Sequence, residues 1–241
     1  MSLTIQDKLQ RVETQISEAA ISAGRDPTEI KLVVVTKGHS IAVVEAAIEA
    51  GARRLGENYV EEGFEKIKSI KNQPEIEWHM IGHIQRRKAA QVIQYFDYVH
   101  SLDSIKLAQR LNTYSVEKGG VLPVLLECNT SGEETKYGFP VWNKDQWGNM
   151  INSVAEIIEL PGLRVDGLMT MAPVVSDPQE TRPYFKKLKA LSLLLMEKFP
   201  KTEFVELSMG MSSDFEAAIQ EGATIVRIGQ AIVGQRINQG G

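Results

Sequence analysis

The sequence has one cysteine, no long apolar run and no excess of basic residues, and each shortage excludes a class of protein. Because Cys128 is the single cysteine, the chain cannot form an internal disulfide, and the apolar run around this thiol suits a reducing compartment. No stretch is long enough to cross a bilayer, and the N-terminus has no apolar segment of the signal-peptide type. We therefore expect a cytoplasmic protein.

The charge balance and the length limit the choice further. The 27 basic and 31 acidic residues leave a formal net charge of -4, so nothing in the composition points to nucleic acid or to an anionic membrane. At 241 residues the chain lies within the range of single-domain α/β barrels. No serine-, glycine- or proline-rich linker interrupts it, and we expect one domain over residues 1–241.

The first regular element that the sequence predicts is an amphipathic helix. Apolar residues recur there at helical spacing: Ile5, Leu9, Val12, Ile16 and Ala20. Thr4 is a suitable N-cap, Asp7 lies in the first turn, and Gly24 follows the last apolar position.

Eight short apolar stretches then alternate with helical patterns. In chain order they are KLVVVT, ARRLGEN, EWHMIG, DYVHS, LPVLLEC, DGLMTM, FVELSM and TIVRIG. The patterns between them begin near Ser40, Tyr59, Gln85, Ser104, Trp142, Pro178 and Ser213, and each is long enough for a crossover helix. Asp177 with Glu180, and Ser213 with Glu216, have the spacing of capping boxes.

This alternation predicts an α/β fold, a single (β/α)8 barrel of the TIM type with an extra N-terminal helix. An open, doubly wound sheet is the competing architecture. Such sheets commonly carry a glycine-rich turn after the first strand, whereas VVVTKGHS contains only Gly38. In a barrel, the functional residues lie at the carboxyl ends of the strands, so those positions hold the candidates.

Lys37 comes directly after the first predicted strand. A lysine amine is nucleophilic only when it is neutral, and at its usual pKa of about 10.4 very little of it is neutral at pH 7. An apolar barrel mouth favours the neutral amine and so prepares it for imine formation with an aldehyde. The alternative is a lysine that is simply solvated at a strand end.

Two later loops have the composition of phosphate sites. Ser208, Met209 and Gly210 precede a predicted helix in LSMGMSSDFEAAI, and Gly229 and Gln230 follow the last strand in VRIGQAIVG. The loops after the seventh and eighth strands are the customary phosphate site of these barrels. Either loop alone is equally compatible with a tight turn. Together with Lys37 across the mouth, they indicate a phosphorylated aldehyde as the ligand.

Arg227 is a third candidate. Side chains alternate along a strand, so if Val226 and Ile228 face the helices, Arg227 faces the barrel interior near its mouth. A buried arginine is costly unless it is paired. Either Glu206 on the adjacent strand neutralises it, or its guanidinium faces a bound ligand.

His79 and His83 lie around the end of the third strand. Their spacing suits a metal only on a helix, because on a strand they would stand about 13 Å apart. We expect no metal site here. We expect His79 to pack inward or to form a hydrogen bond near a bound ligand, and His83 to cap the following helix.

Several segments together resemble the signatures of the pyridoxal phosphate homeostasis proteins. They are LGENYVEE, WHMIGHIQRRK, HSLD, NTSGEETKYGF, GLMTM, LSMGMSSDFEAAI and GATIVRIGQAIVG. The resemblance implies a barrel like the N-terminal domain of alanine racemase, which holds pyridoxal 5′-phosphate as a Schiff base on Lys37. It also implies a role in vitamin B6 homeostasis and in the balance of amino acids and keto acids.

By the same resemblance, the residues that bind the cofactor are Lys37, Asn58, Ser208, Met209, Gly210, Arg227, Gly229 and Gln230. Asn58 is expected beside the pyridine ring and Arg227 at its nitrogen, while the residues of the two later loops are expected at the phosphate. Gln230 stands where threonine is frequent in the family. No catalytic residue and no metal ligand is predicted.

An arginine at the pyridine nitrogen disfavours the protonated ring, which makes the ring a poorer electron sink. We therefore expect a carrier of pyridoxal phosphate rather than an efficient enzyme. Racemases with this barrel also use a tyrosine from a second domain, for which a chain ending at Gly241 leaves no room. A weak racemase-like enzyme is the alternative, and a sugar-phosphate barrel is a third reading. We expect a monomer, with apoenzymes as recipients of the cofactor.

Overall fold

The computed structural model describes residues 3–70 and 73–235, and within these ranges eight parallel strands close into a barrel. The strands are β1 (Lys31–Val35), β2 (Arg54–Glu57), β3 (Glu77–Met80), β4 (Tyr98–Leu102), β5 (Leu122–Asn129), a two-residue β6 (Phe139–Pro140), β7 (Leu163–Met169), β8 (Glu206–Ser208) and β9 (Ile225–Ile228). The pairing of β4 with β5 closes the ring, and β6 only extends the edge of β5. The predicted (β/α)8 barrel is confirmed.

Helices surround this barrel. They are α1 (Ile5–Ser22), α2 (Ile41–Glu49), α3 (Val60–Ser69), α4 (Ala89–Tyr95), α5 (Ile105–Lys118), α6 (Trp147–Ile157), α7 (Arg182–Lys198), α8 (Phe215–Gln220) and α9 (Gln230–Val233). All eight predicted strand segments form strands, and each predicted crossover begins within a few residues of the expected position. Within the described ranges no helix is both long and apolar enough to span a bilayer. One domain over residues 1–241 stays a prediction.

The opening helix is the element whose ends the sequence predicts best. Thr4 and Asp7 form a capping box in which each side chain accepts a hydrogen bond from the other's backbone N–H. At the other end Gly24 has a φ of +69°, the left-handed conformation that glycine adopts without strain. The buried face of α1 packs outside the barrel, against α8 and α9.

The second predicted capping box, Ser213 with Glu216, is wrong. α8 begins at Phe215 and has Asp214 as its N-cap residue. The Asp214 carboxylate accepts a hydrogen bond from the backbone N–H of Met211 at 2.6 Å, which closes a tight turn before the helix. Because this turn occupies residues 211–214, the chain reaches the helix later than the Ser-x-x-Glu spacing indicates.

The strands have apolar residues on both faces, as parallel strands between two layers must. Val34 packs outward into the layer between the strands and the helices, which also contains Cys128. Val33, Leu125 and Met169 pack inward and fill part of the barrel. Burying a side chain of this size stabilises the fold by about 1.5–3 kcal/mol. The interior is completed by polar side chains, which belong to the site described next.

Candidate functional site

A cavity of about 930 Å³ opens at the carboxyl ends of the strands. Five of the predicted site residues line it: Lys37, Asn58, Arg227, Gly229 and Gln230. Lining residues that were not predicted include His39, Tyr59, Glu127, Tyr137, Met211, Ser212 and Ser213. The cavity therefore brings together the lysine after β1, the interior of the barrel and the loops that follow β8 and β9.

The backbone on both sides of Lys37 is held by an ion pair of α3. Lys66 donates to the carbonyl oxygen of Thr36 at 2.7 Å, and Glu62 accepts from the N–H of Gly38 at 2.5 Å. Lys66 and Glu62 are themselves 2.6 Å apart. Two residues that flank Lys37 are thus fixed to one helix, so the half-buried lysine starts from a rigid position.

Glu57 completes this support from beneath. Its carboxylate lies 2.7 Å from the Lys66 ammonium and accepts a hydrogen bond from the Thr36 hydroxyl at 2.5 Å. Burial raises the pKa of the Glu57 carboxyl, and the neighbouring Lys66 opposes that shift. The backbone of Asn58, the next residue, packs closely against Gly82, because a Cβ at Gly82 would lie 2.2 Å from the Asn58 carbonyl oxygen. Only glycine fits at position 82.

Arg227 faces the barrel interior, and this predicted orientation is confirmed. Its guanidinium donates to the Ser208 hydroxyl at 2.5 Å and to the carbonyl oxygen of Thr170 at 2.9 Å. The expected alternative, neutralisation by Glu206, is wrong, since that carboxylate pairs with Lys31 at 2.5 Å. Burial lowers the pKa of Arg227 to about 10, so it stays a cation at pH 7. No carboxylate of the described residues forms an ion pair with it.

Glu127 is a site residue that sequence reasoning missed. It lies on β5, is 3% exposed and lines the cavity, and within the described ranges its Oε2 has no hydrogen-bond partner. Burial raises the pKa of its carboxyl to about 7, Asp103 adds to the shift and Arg227 opposes it. The signal was available: a glutamate in the apolar run LPVLLEC occupies a strand position that otherwise holds core residues.

The loop after β8 approaches the cavity later in the chain than predicted. Ser208, Met209 and Gly210 are buried beneath the cavity and do not line it. The reason is that the chain remains paired with the neighbouring strand beyond β8, since Met209 donates to Ile225 O and Gly210 O accepts from Arg227 N. Their expected contacts with a phosphate stay a prediction, and the residues that line the cavity are the ones that follow them.

Those residues are Met211, Ser212 and Ser213. In the part of the chain that the structure describes, the N–H groups of Ser212 and Ser213 make no hydrogen bond. Gly229 and Gln230 line the cavity beside them, as predicted. At Gly229 a Cβ would lie 2.9 Å from the Val35 carbonyl oxygen, so glycine allows this loop to pack against β1.

The two histidines near β3 have different roles. His79 packs inward, as expected, and its Nδ1 lies 2.8 Å from Nε2 of His100. His83 does not cap a helix: its Nδ1 lies 2.9 Å from the Asp103 carboxylate, and its ring stacks on Tyr137 with centroids 3.8 Å apart. This stacked pair forms part of the cavity rim. Among the described residues no cluster of three or more metal-ligating side chains occurs.

Comparison with known proteins places the chain in a family. The family model of the alanine racemase N-terminal domain matches residues 8–237. The pyridoxal phosphate homeostasis protein of Vibrio alginolyticus is 39% identical over 237 residues, covering 97% of this chain and 98% of that protein. The protein of the same name from Escherichia coli K12 is 37% identical over 234 residues, covering 96% and 97%.

Solved structures agree with this match. PipY of Synechococcus elongatus with PLP bound superposes with a TM-score of 0.79 at 31% identity, covering 91% of this chain and all of that one (100%). An alanine racemase from Clostridium difficile superposes with a TM-score of 0.69 over 97% of this chain but 58% of its own length. At 16% identity the racemase shows the shared fold alone.

Proposed function

The chain belongs to the pyridoxal phosphate homeostasis proteins, which carry the alanine racemase N-terminal barrel, and we propose that it binds pyridoxal 5′-phosphate at the barrel mouth and acts in its intracellular homeostasis. The observation that carries the proposal is the cavity, because it unites a strand-end lysine, a buried arginine and two loops with small residues. A relative with this barrel has been solved with PLP bound.

The residues present fit this cofactor. Lys37 would hold its aldehyde carbon through a C=N bond, with release of one water. The backbone N–H groups of Ser212 and Ser213, together with Gly229 and Gln230, would take the phosphate, since the first two are donors that form no hydrogen bond among the described residues and the other two line the cavity beside them. Asn58 and Arg227 would contact the ring, Arg227 at its nitrogen. Ser208 would act indirectly, through Arg227.

The chemistry that pyridoxal phosphate supplies is an electrophilic aldehyde and an electron sink. Arg227 restrains the second property, because a cation disfavours a proton on the ring nitrogen. Its partners support this role, since a hydroxyl and a carbonyl leave its positive charge intact. We therefore propose a carrier with no efficient turnover, in line with relatives that are named homeostasis proteins.

A weak racemase-like activity is the second candidate, and one observation favours it. Tyr59 and Tyr137 line the cavity and are 57% and 54% exposed, so a tyrosine able to exchange a proton is close to the mouth. Exchange of the α-hydrogen of alanine for deuterium, followed by NMR in the loaded protein, tests this candidate. Turnover in the wild type that disappears in Tyr59→Phe or Tyr137→Phe would contradict the carrier proposal and show that the protein is an enzyme.

We also propose that the protein is a cytoplasmic monomer that delivers the cofactor to apoenzymes. The open mouth supports delivery, because Lys37 is reached from solvent through the cavity. The exposed side chains of Tyr59 and Tyr137 line that opening and offer a surface for a recipient. Reactivation of a purified apoenzyme by the loaded protein, in the presence of a trap for free aldehyde, tests direct transfer.

The test of cofactor binding is spectroscopic. We expect an imine absorption band in the wild type with added pyridoxal phosphate, loss of that band in Lys37→Ala, and an unchanged band in the control Lys68→Ala, which alters an exposed lysine of α3. Borohydride should fix the adduct on the peptide that contains Lys37, as identified by mass spectrometry. A wild type that stays colourless, or an adduct on another lysine, contradicts the proposal.

A further inference from the structure

A continuous chain of polar side chains crosses the barrel interior to reach Arg227. His79 Nδ1 lies 2.8 Å from His100 Nε2, and His100 Nδ1 lies 2.9 Å from the Ser208 hydroxyl. That hydroxyl is 2.5 Å from Arg227 Nη1. The four side chains are between 0% and 4% exposed, so water does not compete for these hydrogen bonds. We call His79, His100 and Ser208 the relay.

The charge on Arg227 determines the direction of every hydrogen bond in the relay. A guanidinium only donates, so Ser208 Oγ accepts from Arg227 and must direct its own proton elsewhere. Among the described residues, the acceptor that the Ser208 hydroxyl contacts is His100 Nδ1, which therefore carries no proton. Burial lowers the pKa of His100 well below its ordinary value, so this imidazole is neutral and its single proton is on Nε2.

The same argument determines the tautomer of His79. Because His100 donates from Nε2, the Nδ1 of His79 accepts and its proton is on Nε2. That nitrogen lies 3.3 Å from the carboxylate of Glu77, at the amino-terminal end of β3, in a contact too poorly aligned to be a good hydrogen bond. The relay thus lies between the Glu77 carboxylate at the amino-terminal end of β3 and the Arg227 cation at the barrel mouth, with all its donors oriented in the same sense.

Tyr98 packs against the imidazoles of His79 and His100 and prevents the side chains of the relay from rearranging. Its ring stacks on His79 with centroids 5.2 Å apart and meets His100 edge-on at 5.2 Å. Its hydroxyl is held by Asp166 at 2.9 Å, away from the relay. Rotation of either histidine would therefore require the movement of a buried tyrosine as well.

We propose that His79 and His100 are positioning residues for Arg227: they hold the Ser208 proton on the side of His100, so the Ser208 oxygen accepts from Arg227 and fixes the guanidinium edge that lines the cavity. The direction of the hydrogen bonds in the relay depends on the protein alone and not on a bound ligand. The consequence for the bound ligand rests on the proposed function, because there Arg227 would face the pyridine nitrogen. An acceptor that turned its proton toward Arg227 would repel the guanidinium and release it from Thr170 O.

The first test uses the ligand-free protein. Nitrogen-15 NMR of the histidine side chains is expected to show His79 and His100 as neutral Nε2–H tautomers in the wild type. In Arg227→Met the obligatory donor is gone, and His100 is expected to become a mixture of tautomers. An Nδ1–H tautomer of either histidine in the wild type, or tautomers that Arg227→Met leaves unchanged, would overturn the relay whether or not the protein binds a cofactor.

The second test uses protein loaded with pyridoxal phosphate. His100→Gln keeps an acceptor for Ser208 and a donor for His79, whereas His100→Leu removes both. We expect His100→Leu to shift the absorption maximum and to weaken binding about tenfold, and His100→Gln to resemble the wild type. Equal behaviour of two folded variants would overturn the positioning role. A colourless wild type would overturn the proposed function, and the tautomers would still decide on the relay.

Discussion

Two clusters of buried charged residues lie near the barrel mouth, and they differ in how their charges are compensated. In the layer between β2 and α3, Glu57 and Lys66 form an ion pair with side chains that are 0% and 4% exposed. In the interior, Arg227 is bonded to a hydroxyl and a carbonyl, and Glu127 has an oxygen without a partner in the described residues. The first cluster contains its own counter-charge, while the second leaves polar atoms directed at a cavity.

This difference separates support from binding. A buried ion pair contributes little net stability but is costly to break, and here it also anchors the backbone beside Lys37. Incompletely satisfied polar groups are retained where a ligand can complete their hydrogen bonds. We call the Glu57–Lys66 pair the outer cluster and Arg227 with Glu127 the inner cluster. We therefore infer that the outer cluster positions Lys37 and that the inner cluster contacts the ligand bound to Lys37.

Breaking the outer pair should have the largest effect on the folded protein. In Lys66→Met, Glu57 loses its cation while it remains fully buried, and we expect the free energy of unfolding to fall by about 3–5 kcal/mol. Urea denaturation followed by circular dichroism measures this loss. The control is Lys68→Met on the same helix, which is exposed and should change the stability by less than about 0.5 kcal/mol. Equal losses in both variants would mean that the pair has no special role.

In the inner cluster, Glu127 should make the free energy of unfolding depend on pH. Because the pKa of Glu127 is raised from 4.5 to about 7, its contribution to stability is fully present below pH 4.5 and is lost as the pH rises to about 7. We expect the wild type to lose about 1.4 kcal/mol per pH unit in this window relative to Glu127→Gln, or about 3 kcal/mol in total. Denaturation curves at several pH values measure the difference. Parallel pH profiles of the two proteins would show that Glu127 is not buried in the manner described.

The positions of Lys37 and Arg227 could be predicted from the sequence, whereas the contacts between the side chains in the barrel could not. Lys37 is found at a strand end because the apolar run VVV stops before it, and Arg227 faces inward because strand side chains alternate. Which inward side chain meets which depends on contacts across the barrel between strands that are not neighbours. For that reason the contact between His100 and Ser208 had no sequence signal.

The loop after β8 shows a second limit of sequence-based prediction. Ser208, Ser212 and Ser213 are equally plausible in LSMGMSSD, because all are small polar residues before a helix. The choice depends on how far the chain stays paired with β9, and backbone hydrogen bonds set that length regardless of side-chain type. The alternative in which Glu206 neutralises Arg227 fails for a similar reason, since Lys31 reaches Glu206 from another strand.

A comparison of two serines sharpens the description of the inner cluster. Ser212 lines the cavity, whereas Ser208 lies beneath it. We expect Ser212→Ala to weaken the binding of pyridoxal phosphate about tenfold, the equivalent of one hydrogen bond to a charged group, with little change in the absorption maximum. Ser208→Ala should instead move the maximum, because it disturbs Arg227. Equilibrium titration monitored by absorbance separates the two effects, and the reverse pattern would favour a direct contact of Ser208 with the phosphate.

The smallest effect should come from an ion pair at the opposite end of the barrel. Arg164 contacts Asp166 through two nitrogens at 2.6 and 2.9 Å, a geometry as good as that of the buried pair. Its side chain is 63% exposed, however, so water and salt screen the attraction. We expect Arg164→Gln to cost about 0.2–1 kcal/mol, falling further in high salt, and the exposed Lys106→Gln to serve as its reference. Because the two pairs share close geometry and differ in burial, a loss near that of Lys66→Met would mean that contact geometry, and not burial, governs the cost of breaking a pair. The assignment of the outer cluster to support would then fail with it.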